Sequence, residues 1–168
     1  MAFFDEARIH AISGKGGNGC LSFRREKYIP RGGPDGGDGG DGGDIVVALD
    51  TNLNSLNHLK GKKVFAAKAG KSGSGKNMKG ESGEKLLIPV PNGTIIHALE
   101  TGELIGEISI DSAEIVIAKG GKGGLGNARF KSSTNQSPRK ITNGEDSDNR
   151  EILPVSYTHL TLPTIYSV

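Results

Sequence analysis

The 168-residue sequence is poor in the residues that usually build a large hydrophobic core. It has no tryptophan, 5% aromatic residues and 34% apolar residues in total. It has no run of about 18 apolar residues, so we expect no membrane span. The single cysteine, Cys20, forms no internal disulfide, which fits a reducing compartment. The N-terminus MAFFDEARIH is too charged for a signal peptide, so we expect one small-cored domain in a cytoplasmic protein, with the chain a monomer.

An excess of charge of one sign is also missing, since 21 Lys and Arg face 19 Asp and Glu. This balance excludes a strongly basic, histone-like protein but permits a local basic patch.

The sequence also shows no recognisable set of catalytic residues, because the histidines are scattered along the chain. A catalytic Cys20 is an alternative, but a small core-facing residue is favoured because no partner histidine is evident. We therefore predict no catalytic residue and no metal site.

Short apolar or β-branched runs predict a mainly β fold. Ala7, Ile9 and Ala11 alternate with polar residues, and further runs stand at 45–49, 64–67, 86–90, 94–98 and 115–118. PNGT at 91–94 predicts a turn, and SLNHLK at 55–60 is the one candidate helix. Long glycine-rich connections separate these runs.

Glycine is abundant, with 27 residues concentrated in runs at 14–19, 32–43, 70–83 and 120–126. GGPDGGDGGDGGDI (32–45) repeats glycine-glycine-X, and this period of three suits a left-handed polyproline II helix. By composition alone a flexible linker fits equally well, but several runs between strands of one sheet system favour a packed bundle. Glycine lets such helices pack backbone to backbone. We assign this structural role to Gly16, Gly17, Gly33, Gly36, Gly37, Gly39, Gly40, Gly42, Gly43, Gly80, Gly83, Gly121, Gly123, Gly124 and Gly126.

The aspartates of the second run, Asp35, Asp38, Asp41 and Asp44, suggest a calcium site as an alternative. On a polyproline II helix they lie about 9 Å apart, whereas Ca²⁺ needs several oxygens within about 2.5 Å of one point. We expect these carboxylates to accept hydrogen bonds from neighbouring glycine N–H groups instead.

Three glycine patterns resemble nucleotide-binding loops. Residues 70–76 match G-x-x-x-x-G-K of the P-loop, but Asn77 stands where Ser or Thr should hold Mg²⁺, and NMKGESGE is a poor helix. The two G-x-G-x-x-G matches, starting at Gly14 and Gly121, also lack a following helix. An enzyme that binds nucleotide at residues 70–76 stays an alternative function.

The sequence contains an internal repeat, here called the echo: GKGGNGCLSFRR, which starts at Gly14, resembles GKGGLGNARFKS, which starts at Gly121. Two loops built alike are expected to point the same way.

Basic residues cluster beside the glycine runs, where they could follow a phosphate backbone into RNA clefts. The candidate RNA-binding residues are Lys15, Arg24, Arg25, Lys27, Arg31, Lys71, Lys76, Lys79, Lys122, Arg129, Lys131 and Arg139. A solvated surface, or pairing of these cations with the aspartates, is the alternative, and so is a purely structural glycine-rich protein.

The last 16 residues, 153–168, contain no Lys, Arg, Asp or Glu. Within them, VSYTHLTLPT (155–164) resembles a translated sequencing-library adaptor. We therefore divide the chain into residues 1–152 and a non-native tail, 153–168, which is left out of the fold prediction. We expect the native sequence to continue differently after Ile152.

Taken together, FFDEA (3–7), the segment 13–45, IPVPNGT (88–94) and AKGGKGGLGNARFKSSTNQSP (118–138) resemble the N-terminal domain of the Obg family of bacterial ribosome-assembly GTPases. The resemblance covers residues 3–152. It implies an Obg fold, in which a small β-barrel base carries a bundle of glycine-rich left-handed polyproline II helices.

The same resemblance implies a function in assembly of the large (50S) ribosomal subunit and in growth or stress control. The domain would contact 23S rRNA near the peptidyl-transferase centre. The GTPase domain of the family is absent from this sequence, so no cofactor is expected in this chain. GTP binding and hydrolysis with Mg²⁺ would be properties of the full-length protein.

Overall fold

Short runs of apolar and β-branched residues form nine strands in the structure, a computed structural model that describes residues 3–25, 28 and 32–158. The strands are β1 (Phe3–Glu6), β2 (Arg8–Ile12), β3 (Ile45–Leu49), β4 (Lys62–Ala66), β5 (Leu86–Val90), β6 (Thr94–Ala98), β7 (Leu104–Ile108), β8 (Glu114–Ala118) and β9 (Asn149–Thr158). Two short 3₁₀ helices span Asn57–Leu59 and Asn127–Phe130. The mainly β prediction is confirmed.

The strands form two sheets. The larger has the order β4-β2-β9-β6-β7, with β1 paired to β9, and the smaller has the order β5-β3-β8. The β2–β4 and β3–β5 pairs are parallel, and the other pairs are antiparallel. The described strands form no closed barrel, so the predicted β-barrel base is wrong in that respect. Two open sheets enclose the core instead.

One hydrophobic cluster takes side chains from both sheets. Ile9 and Ile152 come from the larger sheet, and Ile45 and Ile88 come from the smaller one. Each of these four side chains is fully or almost fully buried. Leu56 closes the same cluster from the loop after β3. The small core predicted from composition therefore lies between the sheets and does not extend into the glycine-rich part.

The longest strand, β9, continues through residues 153–158, which the sequence analysis leaves out of the fold. Val155 pairs with Glu6 of β1 and with Ile95 of β6, and its side chain is buried. Alternating apolar residues in LPVSYT suffice for a strand whatever their origin. Their exclusion from the fold is corrected here, while their non-native origin stays a prediction. Residues 159–168 lie outside the described residues.

Three long excursions of the chain, with six limbs in all, leave and re-enter the sheets at the same end. Chain segments leave β2, β4 and β8 and return as β3, β5 and β9. Among the described residues, no helix is long and apolar enough to cross a membrane. The two sheets thus form a base for three excursions of the chain.

Candidate functional site

Six segments, all but the last of them rich in glycine, run between the base and a distal tip and are here called struts 1 to 6. They comprise residues 13–20, 35–44, 67–74, 78–85, 119–126 and 142–148, and they contain no regular helix or sheet strand. Their backbones hydrogen-bond to one another every third residue. Strut 1 donates to strut 2 from Gly14, Gly17 and Cys20 to the carbonyls of Gly43, Gly40 and Gly37, at 2.8–2.9 Å. The struts therefore form one bonded bundle and are not independent linkers.

Strut 2 shows why its sequence repeats every three residues. One glycine of each triplet donates to strut 3, as Gly40 does to Lys71 at 2.8 Å, and the other donates to strut 5, as Gly39 does to Gly124 at 2.8 Å. The glycines are almost all buried, whereas Asp41 is exposed. Two faces of the strut therefore touch backbone, and the third carries the carboxylates.

The aspartates of strut 2 complete the hydrogen bonding of strut 5. The carboxylates of Asp38, Asp41 and Asp44 accept from the N–H groups of Gly126, Gly123 and Gly120, at 3.0, 2.8 and 2.6 Å. The backbone carbonyls of Asp38 and Asp41 accept from strut 4, and the carbonyl of Asp44 accepts from Leu86 at the start of β5. This matches the expectation that the carboxylates satisfy glycine N–H groups.

The internal echo of the sequence is also a structural register. Gly121, Gly124 and Asn127 donate to the carbonyls of Gly14, Gly17 and Cys20, at 2.8–3.0 Å. Struts 1 and 5 thus run in parallel towards the tip, as expected, with equivalent residues of the echo bonded to each other. Struts 1, 2 and 5 form a closed triangle of donors and acceptors.

The bundle leaves no room for side chains at most of the predicted structural glycines. A Cβ at Gly17, Gly39 or Gly124 would lie 2.0–2.1 Å from a backbone oxygen of a neighbouring strut. Since real Cβ atoms do not approach so closely, any side chain there would displace a strut. Gly33 differs, because a Cβ there would meet only the Nζ of Lys131, at 3.5 Å. It lies in the tip and not against another strut.

Three loops form the tip, and their described residues are 21–25, 28 and 32–34 in the first loop, 75–77 in the second and 127–141 in the third. Asn127 fastens two of them, and it is fully buried. Its Oδ1 accepts from the N–H groups of Ser22 and Gly36, and its Nδ2 donates to the carbonyls of Ser22 and Pro138, at 2.9–3.3 Å. Sequence reasoning missed this residue. The internal repeat could have pointed to it, because Asn127 occupies the position in the second copy that Cys20 occupies in the first.

The structure divides the predicted RNA-binding residues into two groups. Most lie on the tip loops or directly beside them: Arg24, Arg25, Lys76, Lys79, Arg129, Lys131 and Arg139. We call this set the tip cluster. Arg25 and Lys76 line one cleft, while Lys79 and Arg129 line another. The guanidinium of Arg139 lies 5.5 Å from the centre of the Phe23 ring. Lys27 and Arg31 are outside the described residues.

The other group lies along the sides of the struts. Lys15 is 3.9 Å from Asp146, and Lys71 is 3.4 Å from Glu81, both as exposed ion pairs. Lys122 is exposed between glycines of strut 5. The third position of each triplet points away from the neighbouring backbones, which places these lysines beside acids of adjacent struts. They are separate from the tip.

Asp38 and Arg129 form an ion pair between the bundle and the tip. The Nη2 of Arg129 lies 2.8 Å from Oδ2 of Asp38. Burial raises the pKa of Asp38, but the N–H of Gly126 and the guanidinium of Arg129 outweigh it and hold that pKa below its ordinary value. Arg129 is thus already paired with the aspartate run, while it remains exposed.

The P-loop-like segment does not have the geometry of a nucleotide site. The N–H groups of Gly70, Lys71 and Gly73 donate to the carbonyls of Lys15, Glu81 and Asn18, at 2.8–3.0 Å. A phosphate could not use donors that already bind neighbouring struts. Residues 75–77 form a turn, and the chain continues as strut 4 without a helix. These residues do not fit GTP or Mg²⁺.

The chain is similar in sequence to known proteins. The GTP1/OBG family profile matches residues 4–154. A "GTPase Obg" of Buchnera aphidicola subsp. Acyrthosiphon pisum (strain Tuc7) is 53% identical over 152 residues, covering 90% of this chain and 46% of that protein. A "GTPase Obg" of Syntrophobacter fumaroxidans is 48% identical over 153 residues, covering 91% of this chain and 44% of that protein.

The chain spans less than half the length of these curated relatives. The family profile covers all six struts and the two sheets except Phe3 of β1 and residues 155–158 of β9. By its sequence and over nearly its whole described length, the chain belongs to the GTP1/OBG family.

Proposed function

We propose that this chain is a ribosome-binding module of an Obg-type GTPase, which contacts rRNA of the large subunit through the tip cluster. The supporting observation is the position of the cations. Seven of the predicted basic residues lie on or beside three loops that the bundle holds together at one end. A cationic tip on a stiff support can enter an RNA cleft and bind the phosphate backbone.

The bundle would supply the stiffness that such a probe requires. Its backbone donors and acceptors bond across struts with a three-residue spacing. That spacing equals one turn of a polyproline II helix, and Gly126 has φ −75° and ψ 163°, close to polyproline II values. We therefore infer that the struts are polyproline II helices, which transmit the orientation of the base to the tip.

GTP binding and hydrolysis with Mg²⁺ are proposed only for the whole protein, acting in 50S assembly and in growth or stress control. The relatives are named GTPases, and this chain spans less than half of them. Residues 70–76 do not fit the nucleotide, so the chain's own proposed contribution is to bind 23S rRNA in the cytoplasm.

Co-sedimentation of the 168-residue chain with purified 50S subunits, over a series of salt concentrations, tests the proposal. The wild-type chain should bind without nucleotide, and binding should weaken as salt rises. A double variant of the tip, Arg25→Glu with Lys76→Glu, should bind more weakly. If both residues contact phosphates, the slope of log K against log salt should shrink by roughly 1.4–1.8.

A double variant on the sides of the struts, Lys15→Glu with Lys71→Glu, is the matched control. It changes the net charge equally but leaves the tip cluster intact. It should keep most of the wild-type affinity. Equal losses in the two variants would show that binding follows net charge and not the tip, and no binding by the folded wild-type chain would refute the proposal.

A further inference from the structure

The turn that joins struts 3 and 4 at the tip has an unusual backbone. Lys76 and Asn77 have φ values of 62° and 56°, and no other residue except glycine has a positive φ in the part of the chain that the structure describes. The N–H of Met78 donates to the carbonyl of Gly75 at 3.4 Å, which closes a turn around these two residues. Positive φ at both central positions is typical of a type I′ turn, which favours Gly, Asn and Asp. Asn77 fits this turn, whereas Lys76 does not.

Both ends of this turn are fixed to the bundle. Ser74 donates to the carbonyl of Met78 and accepts from the N–H of Gly37 in strut 2, both at 2.9 Å. The three residues between Ser74 and Met78 must therefore reverse the chain. A glycine at position 76 would do so without strain, because it has no Cβ. A lysine there is locally unfavourable, and such positions are concentrated at functional sites.

Asp35 holds the turn from the side of the bundle. Its Oδ2 accepts from the N–H of Lys76 at 3.0 Å, and its backbone carbonyl accepts from the N–H of Asn77 at 2.7 Å. The residue is only 9% exposed, and its Oδ1 is buried without a hydrogen-bond partner among the described residues. Burial of an unpaired carboxylate oxygen is unfavourable. Two locally unfavourable residues, Asp35 and Lys76, are therefore bonded to each other at one turn.

The side chain of Lys76 is available to a ligand. With Arg25 it lines an open cleft of about 440 Å³, here called the tip cleft. Lys76 is exposed, and it forms no ion pair among the described residues, whereas Lys15 and Lys71 are paired with acids. Because the direction of the Cα–Cβ bond depends on the backbone conformation, a turn with negative φ at this position would direct the ammonium group elsewhere.

We propose that Asp35 positions Lys76 for RNA: it holds the turn in its left-handed form, and the turn directs the ammonium group of Lys76 towards an RNA phosphate. The inference rests on the proposed RNA-binding function and adds a positioning residue to it. It also predicts an effect opposite to that of charge alone. Removal of an acid from a cationic tip should strengthen RNA binding through electrostatics, whereas loss of positioning should weaken it.

Co-sedimentation of the 168-residue chain with purified 50S subunits, at one fixed salt concentration, measures this sign. Lys76→Ala should weaken binding about fivefold, the upper end for one exposed charge pair, and Asp35→Ala should weaken it by a similar factor. The double variant should bind no more weakly than either single variant, because Asp35 acts through Lys76. Asp35→Asn retains an oxygen that can accept from the Lys76 N–H, so it should restore most of the affinity.

Asp41→Ala is the matched control for charge. Asp41 lies two triplets along strut 2 from Asp35, and its carboxylate also accepts from a backbone N–H, that of Gly123 at 2.8 Å. This variant removes the same charge without touching the turn, so it should not weaken binding.

Two further variants test the turn without changing Asp35. Lys76→Asn combined with Asn77→Lys keeps composition and net charge but moves the ammonium group by one residue, so it should bind about as weakly as Lys76→Ala. Lys76→Gly should melt roughly 2–4 °C higher than Lys76→Ala, because only alanine keeps a Cβ in the left-handed conformation. Equal melting temperatures would contradict the strain at position 76.

The outcomes separate this inference from the proposed function. If the wild-type chain binds 50S subunits and Asp35→Ala binds at least as tightly, positioning by Asp35 is wrong and RNA binding stands. The inference is also wrong if Asp35→Ala weakens binding equally with and without Lys76, since its role would then be structural. If Asp35→Ala does not fold, the exchange of residues 76 and 77 decides, and wild-type affinity in that variant would refute the inference. If the folded wild-type chain does not bind 50S subunits, the proposed function itself fails.

Discussion

Replacing Gly39 with alanine should disrupt the bundle, because its Cβ would lie 2.0 Å from the carbonyl oxygen of Gly17. An ordinary contact needs roughly 3.5 Å, so struts 1 and 2 would have to separate by about 1.5 Å. Two hydrogen bonds between these struts that are now 2.8 Å long, from Gly14 to Gly43 and from Gly17 to Gly40, would exceed the normal limit of about 3.2 Å.

The energetic cost follows from the groups left without partners. Each buried N–H group that loses its acceptor costs about 1–3 kcal/mol. Two broken bonds therefore cost about 2–6 kcal/mol, against a total unfolding free energy of about 5–15 kcal/mol. In a domain of this size, the melting temperature should fall by roughly 5 °C or more.

Urea denaturation and thermal melting measure the loss of stability, and hydrogen exchange locates it. Amides of struts 1, 2 and 5 should lose protection before those of the sheets, because the hydrophobic core lies between the sheets. Gly33→Ala is the matched control, since its Cβ would meet only the flexible end of Lys131 at 3.5 Å. If Gly39→Ala matched this control in stability and exchange, close backbone packing would not be what the glycines provide.

Three further results are expected. Asn127→Ala leaves buried backbone donors unpaired and should cost about 2–4 kcal/mol in denaturant unfolding; stability equal to wild type would contradict its role in fastening the tip. Asp38→Asn should be less stable than wild type at pH 7, because the folded-state pKa of Asp38 is lowered; the difference should begin to shrink as the pH falls below the ordinary aspartate value of about 3.9 and should disappear once the pH is below the lowered folded-state pKa. A gap that persists in acid would exclude the carboxylate charge as its cause. Truncation after Ile152 removes the β9 residues that pair with β1 and β6, so it should lower the melting temperature even though that segment has a proposed non-native origin; an unchanged melting curve would show that this part of β9 is dispensable.

Much of the base could be predicted locally. The strands at 45–49, 86–90 and 94–98 coincide with apolar or β-branched runs in the sequence, because side-chain alternation and turn residues act over a few residues. The strand Leu104–Ile108 was missed, since Gly106 and Glu107 interrupt its apolar pattern. β9 was missed because its second half was set aside as non-native.

The arrangement of the sheets and the role of each cation depend on distant parts of the chain. No local pattern distinguishes two open sheets from a barrel. Lys15 and Lys76 look alike in the sequence, but one is paired on the side of a strut and the other lines the tip cleft. Asp35 belongs to the same repeat as Asp38 and Asp41, yet only Asp35 has a buried oxygen without a partner.

The sequence by itself determined that glycine occurs with a period of three and that the segments from Gly14 and Gly121 are alike. A three-residue period places two glycines against neighbours and the third side chain outward, whatever those neighbours are. The tertiary structure decided which strut meets which, because each hydrogen bond joins residues far apart in the chain. It also decided that the loops between the struts meet as one tip, since the struts are held side by side and begin at the same end of the base.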